Sequence, residues 1–207
     1  VRTARQSLWV SLAFSLIVVL EALRSPSTAA AYDASAFVAP NEEALVVFIH
    51  NLRDDERAEY VVFDPEKTCV ASVGGRQAEV VPMKPGRYTL YVAGYNTVRI
   101  ELDLEAVRTY FIRLHSVDRF ATRVSDVAPA RRGTDSYKEI KTWLSGAQVA
   151  LGSDDQCRGK PLGKKLRRVQ KGIYEANADW KAGDDAYRAK YTVRKEDGLT
   201  PTEVSRL

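Results

Sequence analysis

From Leu45 onward the chain alternates short apolar runs with charged or glycine-containing breaks. Leu45 to Leu52 is rich in Val, Phe and Ile and stops at Arg53, Asp54, Asp55, Glu56 and Arg57. Glu59 to Asp64 and Thr68 to Val73 are shorter runs, closed by Asp64–Pro65 and by Gly74–Gly75. The glycine pair suits a tight hairpin because glycine accepts positive φ. Gln77 to Met83 resumes the pattern, and Lys84–Pro85–Gly86 turns the chain again. In Arg87 to Ala93, Tyr88, Leu90 and Val92 fall on one face, with Thr89, Tyr91 and Ala93 on the other. After a turn at Tyr95–Asn96–Thr97, Val98, Ile100, Leu102 and Leu104 alternate with Arg99, Glu101 and Asp103, the period-2 signature of a half-buried strand. Tyr110 to Leu114 and Phe120 to Val127 complete about eight strands, spaced by turn signals every eight to twelve residues.

No helix-length connection separates these strands, which predicts a mainly β fold, an antiparallel immunoglobulin-like or prealbumin-like sandwich. Helical periodicity begins only later. Asp135 or Ser136 can cap a helix running to about Val149, with Ile140, Trp143, Leu144 and Ala147 on one face. From Pro161, Leu162, Leu166, Val169, Ile173, Ala176 and Trp180 recur in steps of four and three, followed by Gly183 and Tyr187. This stripe predicts a long helix, docked on the sandwich or on the preceding helix in preference to a coiled coil, with Gly172 weakening it and a break near Gly183–Asp184–Asp185. The expected organisation is a leader at 1–31, a polar linker at 32–43, a sandwich at 44–130 and a helical basic tail at 131–207.

The leader adds an address. Arg2 and Arg5 precede an uncharged, mostly apolar run from Leu8 to Leu20. Ser25–Pro26–Ser27–Thr28 and the small residues Ala29, Ala30 and Ala31 follow. That order is the layout of a secretory signal peptide cleaved near Ala31. An uncleaved membrane anchor is the alternative, but Glu21 ends the run short of the roughly twenty apolar residues a bilayer requires. The expectation is a periplasmic or secreted protein from a bacterial-type cell.

Export changes how the two cysteines read. Cys69 and Cys157 either pair, tying the start of the tail to a strand, or Cys69 is a small buried residue and Cys157 a loop thiol.

Charge is uneven along the chain. Residues 1–31 hold three Arg and one Glu, residues 32–150 hold 15 basic and 17 acidic side chains, and residues 151–207 hold 13 basic and 9 acidic. The body is near neutral and the tail is basic. Lys164, Lys165, Arg167, Arg168 and Lys171 crowd the start of the predicted long helix with no acid among them. The macrodipole favours acids there, so the arrangement opposes helix stability. Either the cluster faces water or pairs with acids of the body, or it meets an anionic partner: a membrane surface, an envelope glycan or an acidic protein face. Export argues against nucleic acid.

Specific chemistry is sparse. His50 and His115 each fall at the end of a predicted strand without a second ligand at metal spacing. Asp54–Asp55–Glu56 and Asp184–Asp185 follow no calcium-loop spacing and read as solvated turns. No nucleophile elbow, phosphate loop or paired zinc histidine motif occurs, so no catalytic residue, metal or cofactor is assigned.

The Pro85–Gly86 turn leading into Tyr88 and Leu90, and the entry Arg108–Thr109–Tyr110–Phe111, resemble a family of bacterial exported β-sandwich domains of unknown function. These domains are often lipoproteins and are broadly similar to PEGA-type and transthyretin-like sandwiches. The resemblance covers about residues 45–127. This chain has Ala106–Val107 where such domains carry glycine before the entry, and it lacks a lipobox cysteine. The resemblance implies a sandwich and an envelope address, and it carries over no site residues. A non-enzymatic envelope binding or structural module is therefore the leading expectation. The alternative is an extracytoplasmic hydrolase built on carboxylates such as Asp54, Glu56 or Asp118.

Overall fold

A computed structural model describes residues 33–50, 58–151 and 166–207. Among the described residues, ten strands form two five-stranded sheets. The first contains β1 (Ala44–His50), β4 (Gln77–Met83), β7 (Thr109–Arg119), β8 (Thr122–Pro129) and β9 (Gln148–Leu151), in the order β8-β7-β1-β4-β9. The second contains β2 (Tyr60–Phe63), β3 (Cys69–Val73), β5 (Gly86–Ala93), β6 (Thr97–Leu104) and β10 (Thr192–Val193), in the order β10-β6-β5-β2-β3. The mainly β sandwich with C-terminal helices holds.

The sheets share one core. Val46 and Phe48 of β1 and Ile112 and Leu114 of β7 meet Tyr60, Val62, Leu90, Val92, Ile100 and Leu102 from the second sheet. Each buried ring or branched side chain of this kind contributes about 1.5–3 kcal/mol of transfer free energy. The alternation along β6 appears directly, with Val98, Ile100, Leu102 and Leu104 buried and the intervening charged residues only partly covered.

β1 is different. All seven of its residues are buried, because Leu45, Val47 and Ile49 face a second apolar cluster on the far side of the sheet. Phe37, Ile140, Trp143, Leu144, Leu199 and Val204 build that cluster. A strand covered on both faces reads as a continuous apolar run.

Two expectations about pairing are corrected. The sheets are mixed, not purely antiparallel: β1 runs parallel to β7, β4 to β9 and β6 to β10. Absence of helical connections constrains only consecutive strands, and these parallel partners are far apart in sequence. Gly74–Gly75 does not close a hairpin either, since β3 and β4 belong to different sheets. The left-handed residue at that crossover is Arg76, with φ 62°. The Gly74 amide is held by the Gln77 Oε1 at 2.7 Å.

The first predicted helix is also shorter than expected. It divides into α1 (Asp135–Lys138) and α2 (Ile140–Leu144), and Thr134 occupies the N-cap position. Ser145 turns extended and Gly146 takes φ 78°, which releases Gln148–Leu151 to add β9 to the edge of β4. The long helix is present as α3 (Leu166–Ala182). It stops at Gly183, and Asp184 caps α4 (Asp185–Lys190) by accepting the Tyr187 amide at 2.7 Å. A final short helix, α5 (Pro201–Val204), follows β10.

The segment after Ala130 thus supplies a strand to each sheet as well as helices. Phe37 and Ala39, in the stretch read as a linker, are buried, and the Thr109 hydroxyl donates to the Phe37 carbonyl at 2.6 Å. Among the described residues, no helix is long and apolar enough to cross a membrane.

Candidate functional site

α3 lies on the outer face of the second sheet. Its Val169 and Ala176, with partly buried Ile173, pack on Phe63, Tyr91, Val61 and Ala93. Position 172 faces Thr97, and a Cβ there would stand 2.1 Å from the Thr97 hydroxyl oxygen. The glycine that weakens the helix intrinsically is what lets it reach the sheet.

Further along, the Asn177 carbonyl oxygen accepts from the Tyr91 hydroxyl at 3.1 Å and from Arg99 at 2.8 Å. The Arg99 guanidinium lies 4.9 Å from the Trp180 ring centre, within cation–π range. α3 is therefore fixed by one stripe, and the opposite stripe is open: Lys171 and Tyr174 are exposed, and Lys171 pairs with Glu175 at 3.5 Å. The first turn of α3 holds no acidic residue.

The contacts also say which end of the sheet the first described residues of α3 reach. Thr97 opens β6 directly after the Gly94–Asn96 turn, whereas Asn177 and Trp180 meet Arg99 deeper in the strand. Residues 166–171 therefore extend beyond the level of Thr97 towards that turn and past it, over about 9 Å at 1.5 Å per helical residue.

The β7–β8 hairpin points the same way. The Ser125 hydroxyl accepts from the Tyr95 amide at 2.8 Å, and the Asn96 side chain accepts from the Ser125 amide at 2.6 Å. Ser125 is thus level with the turn, and β8 continues from there towards the tip at Phe120–Ala121. The α3 start, Tyr95 and the hairpin tip share one end of the sandwich.

A polar cluster ties the C-terminal segment to β8. The Asp126 carboxylate, 8% exposed, accepts from Lys190 Nζ at 2.7 Å on each oxygen, from the Tyr191 hydroxyl at 2.9 Å and from the Val127 amide at 3.0 Å. His115 Nε2 lies 3.8 Å from the same carboxylate. Burial pushes the Asp126 carboxyl up, but the hydrogen bonds from Lys190 and Tyr191 outweigh it and leave the group below the usual carboxylate range. Burial, together with the neighbouring Asp126 charge, pushes the Tyr191 phenol well up. Tyr191 therefore stays a neutral donor and Asp126 an acceptor saturated by its neighbours. The cluster acts as a clasp.

Arginines complete the attachment. Arg131 donates to the carbonyls of Ala189, Lys190 and Thr192, and Arg132 reaches the Gly198 carbonyl at 2.9 Å and Glu203 at 2.6 Å.

Of the residues singled out in the sequence, Lys171 is exposed on α3. Positions 167 and 168 lie in the first turn of that helix, while Lys164, Lys165 and Cys157 lie outside the described residues. Cys69 is buried on β3 and is not a free thiol. His50 closes β1, fully buried with its ring 4.9 Å from that of Tyr60. His115 falls within β7 and not at a strand end, because that strand runs on to Arg119.

Asp54, Asp55 and Glu56 lie outside the described residues. Asp118 sits on the exposed hairpin, 3.0 Å from Arg123. Asp185 pairs with Arg188 at 2.8 Å, beside the Asp184 cap. No group of three metal-ligating side chains assembles among the described residues.

Residue-by-residue reading missed Asp126, Lys190 and Tyr191, which come together from positions more than sixty residues apart. It also missed Phe120, counted as a strand residue; the Arg119 and Arg123 flanks are its only local signal. No family model and no curated protein matches the chain.

Proposed function

We propose that this protein works outside the cytoplasm as a non-enzymatic binding module, meeting a negatively charged envelope component through the start of α3. The observation that carries this reading is the first turn of α3, which lacks any acid and follows a run of lysines and arginines. Positive charge at a helix N-terminus is unfavourable by a few tenths of a kcal/mol per residue. An anionic partner turns that cost into affinity. The docking stripe of α3 is already occupied by the sheet, so its other stripe is left for contact. The leader-like residues 1–31 support the address, and the resemblance to exported sandwich domains agrees with it.

The test is sedimentation with envelope fractions at low and high salt. Binding should weaken as salt rises, since surface charges are screened over a Debye length of about 8–10 Å. Replacing Lys164, Lys165, Arg167 and Arg168 together by Gln should abolish it. Salt-insensitive binding, or binding unchanged in that variant, would reject the electrostatic contact.

A further inference from the structure

Phe120 occupies the first position of the two-residue loop between Arg119 and Thr122. Its relative exposure is 110%, so the protein leaves the ring wholly in water. Its φ is 52°, the left-handed region where a hairpin of this length favours glycine. Both exposure and backbone oppose a phenylalanine, and neither is relieved by a contact among the described residues.

The tip is also far forward. From Ser125, level with the β5–β6 turn, the rise of β8 carries it beyond that turn by about 10–15 Å. Arg119 and Arg123 lie just before and just after the loop in the chain, with Asp118 paired to Arg123. Behind the tip, at the same end, stand half-exposed Tyr95 and the exposed Lys171 of α3.

We infer that this end is a membrane-docking surface, in which Phe120 enters the acyl boundary of an anionic phospholipid bilayer while the hairpin arginines and exposed Lys171 of α3 meet headgroup phosphates. An exposed aromatic at the tip of a narrow projection, with an arginine on either side of it along the chain, matches an interface that is apolar below and anionic above. The inference rests on the anionic-partner reading of α3 and specifies that partner as lipid.

The test uses Phe120→Trp in the full chain, with phosphatidylcholine vesicles made with and without phosphatidylglycerol and carrying brominated acyl chains. The signal is the difference in quenching between this variant and the unsubstituted chain, which isolates position 120 from the native tryptophans and from any membrane contact of the leader. Extra quenching in the anionic vesicles, together with about a tenfold loss of anionic-vesicle partitioning in Phe120→Ala, supports the inference. Phe120→Gly should lose partitioning equally while folding at least as stably, because it relieves the left-handed residue.

Anionic-vesicle binding without quenching at position 120 overturns the insertion and leaves the electrostatic reading standing. Absence of vesicle binding, with salt-sensitive binding to envelope fractions retained, overturns the lipid assignment in favour of a glycan or protein. Loss of both removes this inference and the functional reading together.

Discussion

Gly172 of α3 and Thr97 of β6 meet so closely that a single added methyl would stand 2.1 Å from the threonine hydroxyl and 2.9 Å from its Cβ. Gly172→Ala therefore sets two effects against each other. Helix propensity gains about 1 kcal/mol, and overpacking against the sheet costs about 1–3 kcal/mol. The steric cost wins because backbone and strand are both fixed at that point. Chemical denaturation should show net destabilisation, and adding Thr97→Ala should recover part of it. If Gly172→Ala alone proved stabilising, α3 would not be seated on β6 as described.

The Asp126 clasp makes a different prediction. Lys190→Met leaves a buried carboxylate with Tyr191 and an amide but no cation. The expected cost is about 1–3 kcal/mol, below that of a fully buried pair because Lys190 is 44% exposed. Tyr191→Phe should cost about 1 kcal/mol. The two losses should not add, since both side chains serve one carboxylate. Strict additivity in a double-mutant cycle would mean that the groups act independently.

How far the sequence carries depends on the range of the interaction that decides each element. Val98, Ile100, Leu102 and Leu104 declare β6 because alternation is local and only one of its faces joins the sandwich core. β1 is legible as a strand, but its covering on both faces is not, because the helices over Leu45, Val47 and Ile49 come from 90 or more residues later. Parallel pairing of β1 with β7 leaves no local trace. The helical period of Ile140, Trp143, Leu144 and Ala147 runs across Gly146 and extends the expected helix to about Val149, which hides the start of the strand Gln148–Leu151. The basic start of α3 was visible as composition. Its shared end with Phe120 was not, because that placement runs through Gly172–Thr97 and Asn96–Ser125, two contacts between distant segments.

Cys69 is buried on β3, an edge strand. Pairing with Cys157 would close a long loop and anchor the segment that precedes α3, contributing about 2–4 kcal/mol. Peptide mapping of protein recovered after export, without reductant, should yield a Cys69–Cys157 linked fragment. Substituting both residues by Ala should lower the unfolding midpoint. Recovery of two free thiols would return Cys69 to a packing role and weaken the exported address with it.

Glu203 supplies a pH signature for the C-terminal strap. Burial pushes its carboxyl up, but hydrogen bonds from Arg132 and Thr200 outweigh this and bring it from the usual 4.5 down to about 2. A carboxyl whose folded value is depressed binds protons less readily folded than unfolded, so it stabilises the fold above the unfolded value. That contribution is fully present above about pH 5 and is lost as pH falls from about 4.5 towards 2. Because the pair lies near the surface, with Arg132 39% and Glu203 26% exposed, screening reduces it to about 1–2 kcal/mol. Glu203→Gln should remove this slope from the acid limb of a stability–pH curve and lower stability at neutral pH by a similar amount. An unchanged acid limb would show that Arg132 does not hold α5 through this carboxylate.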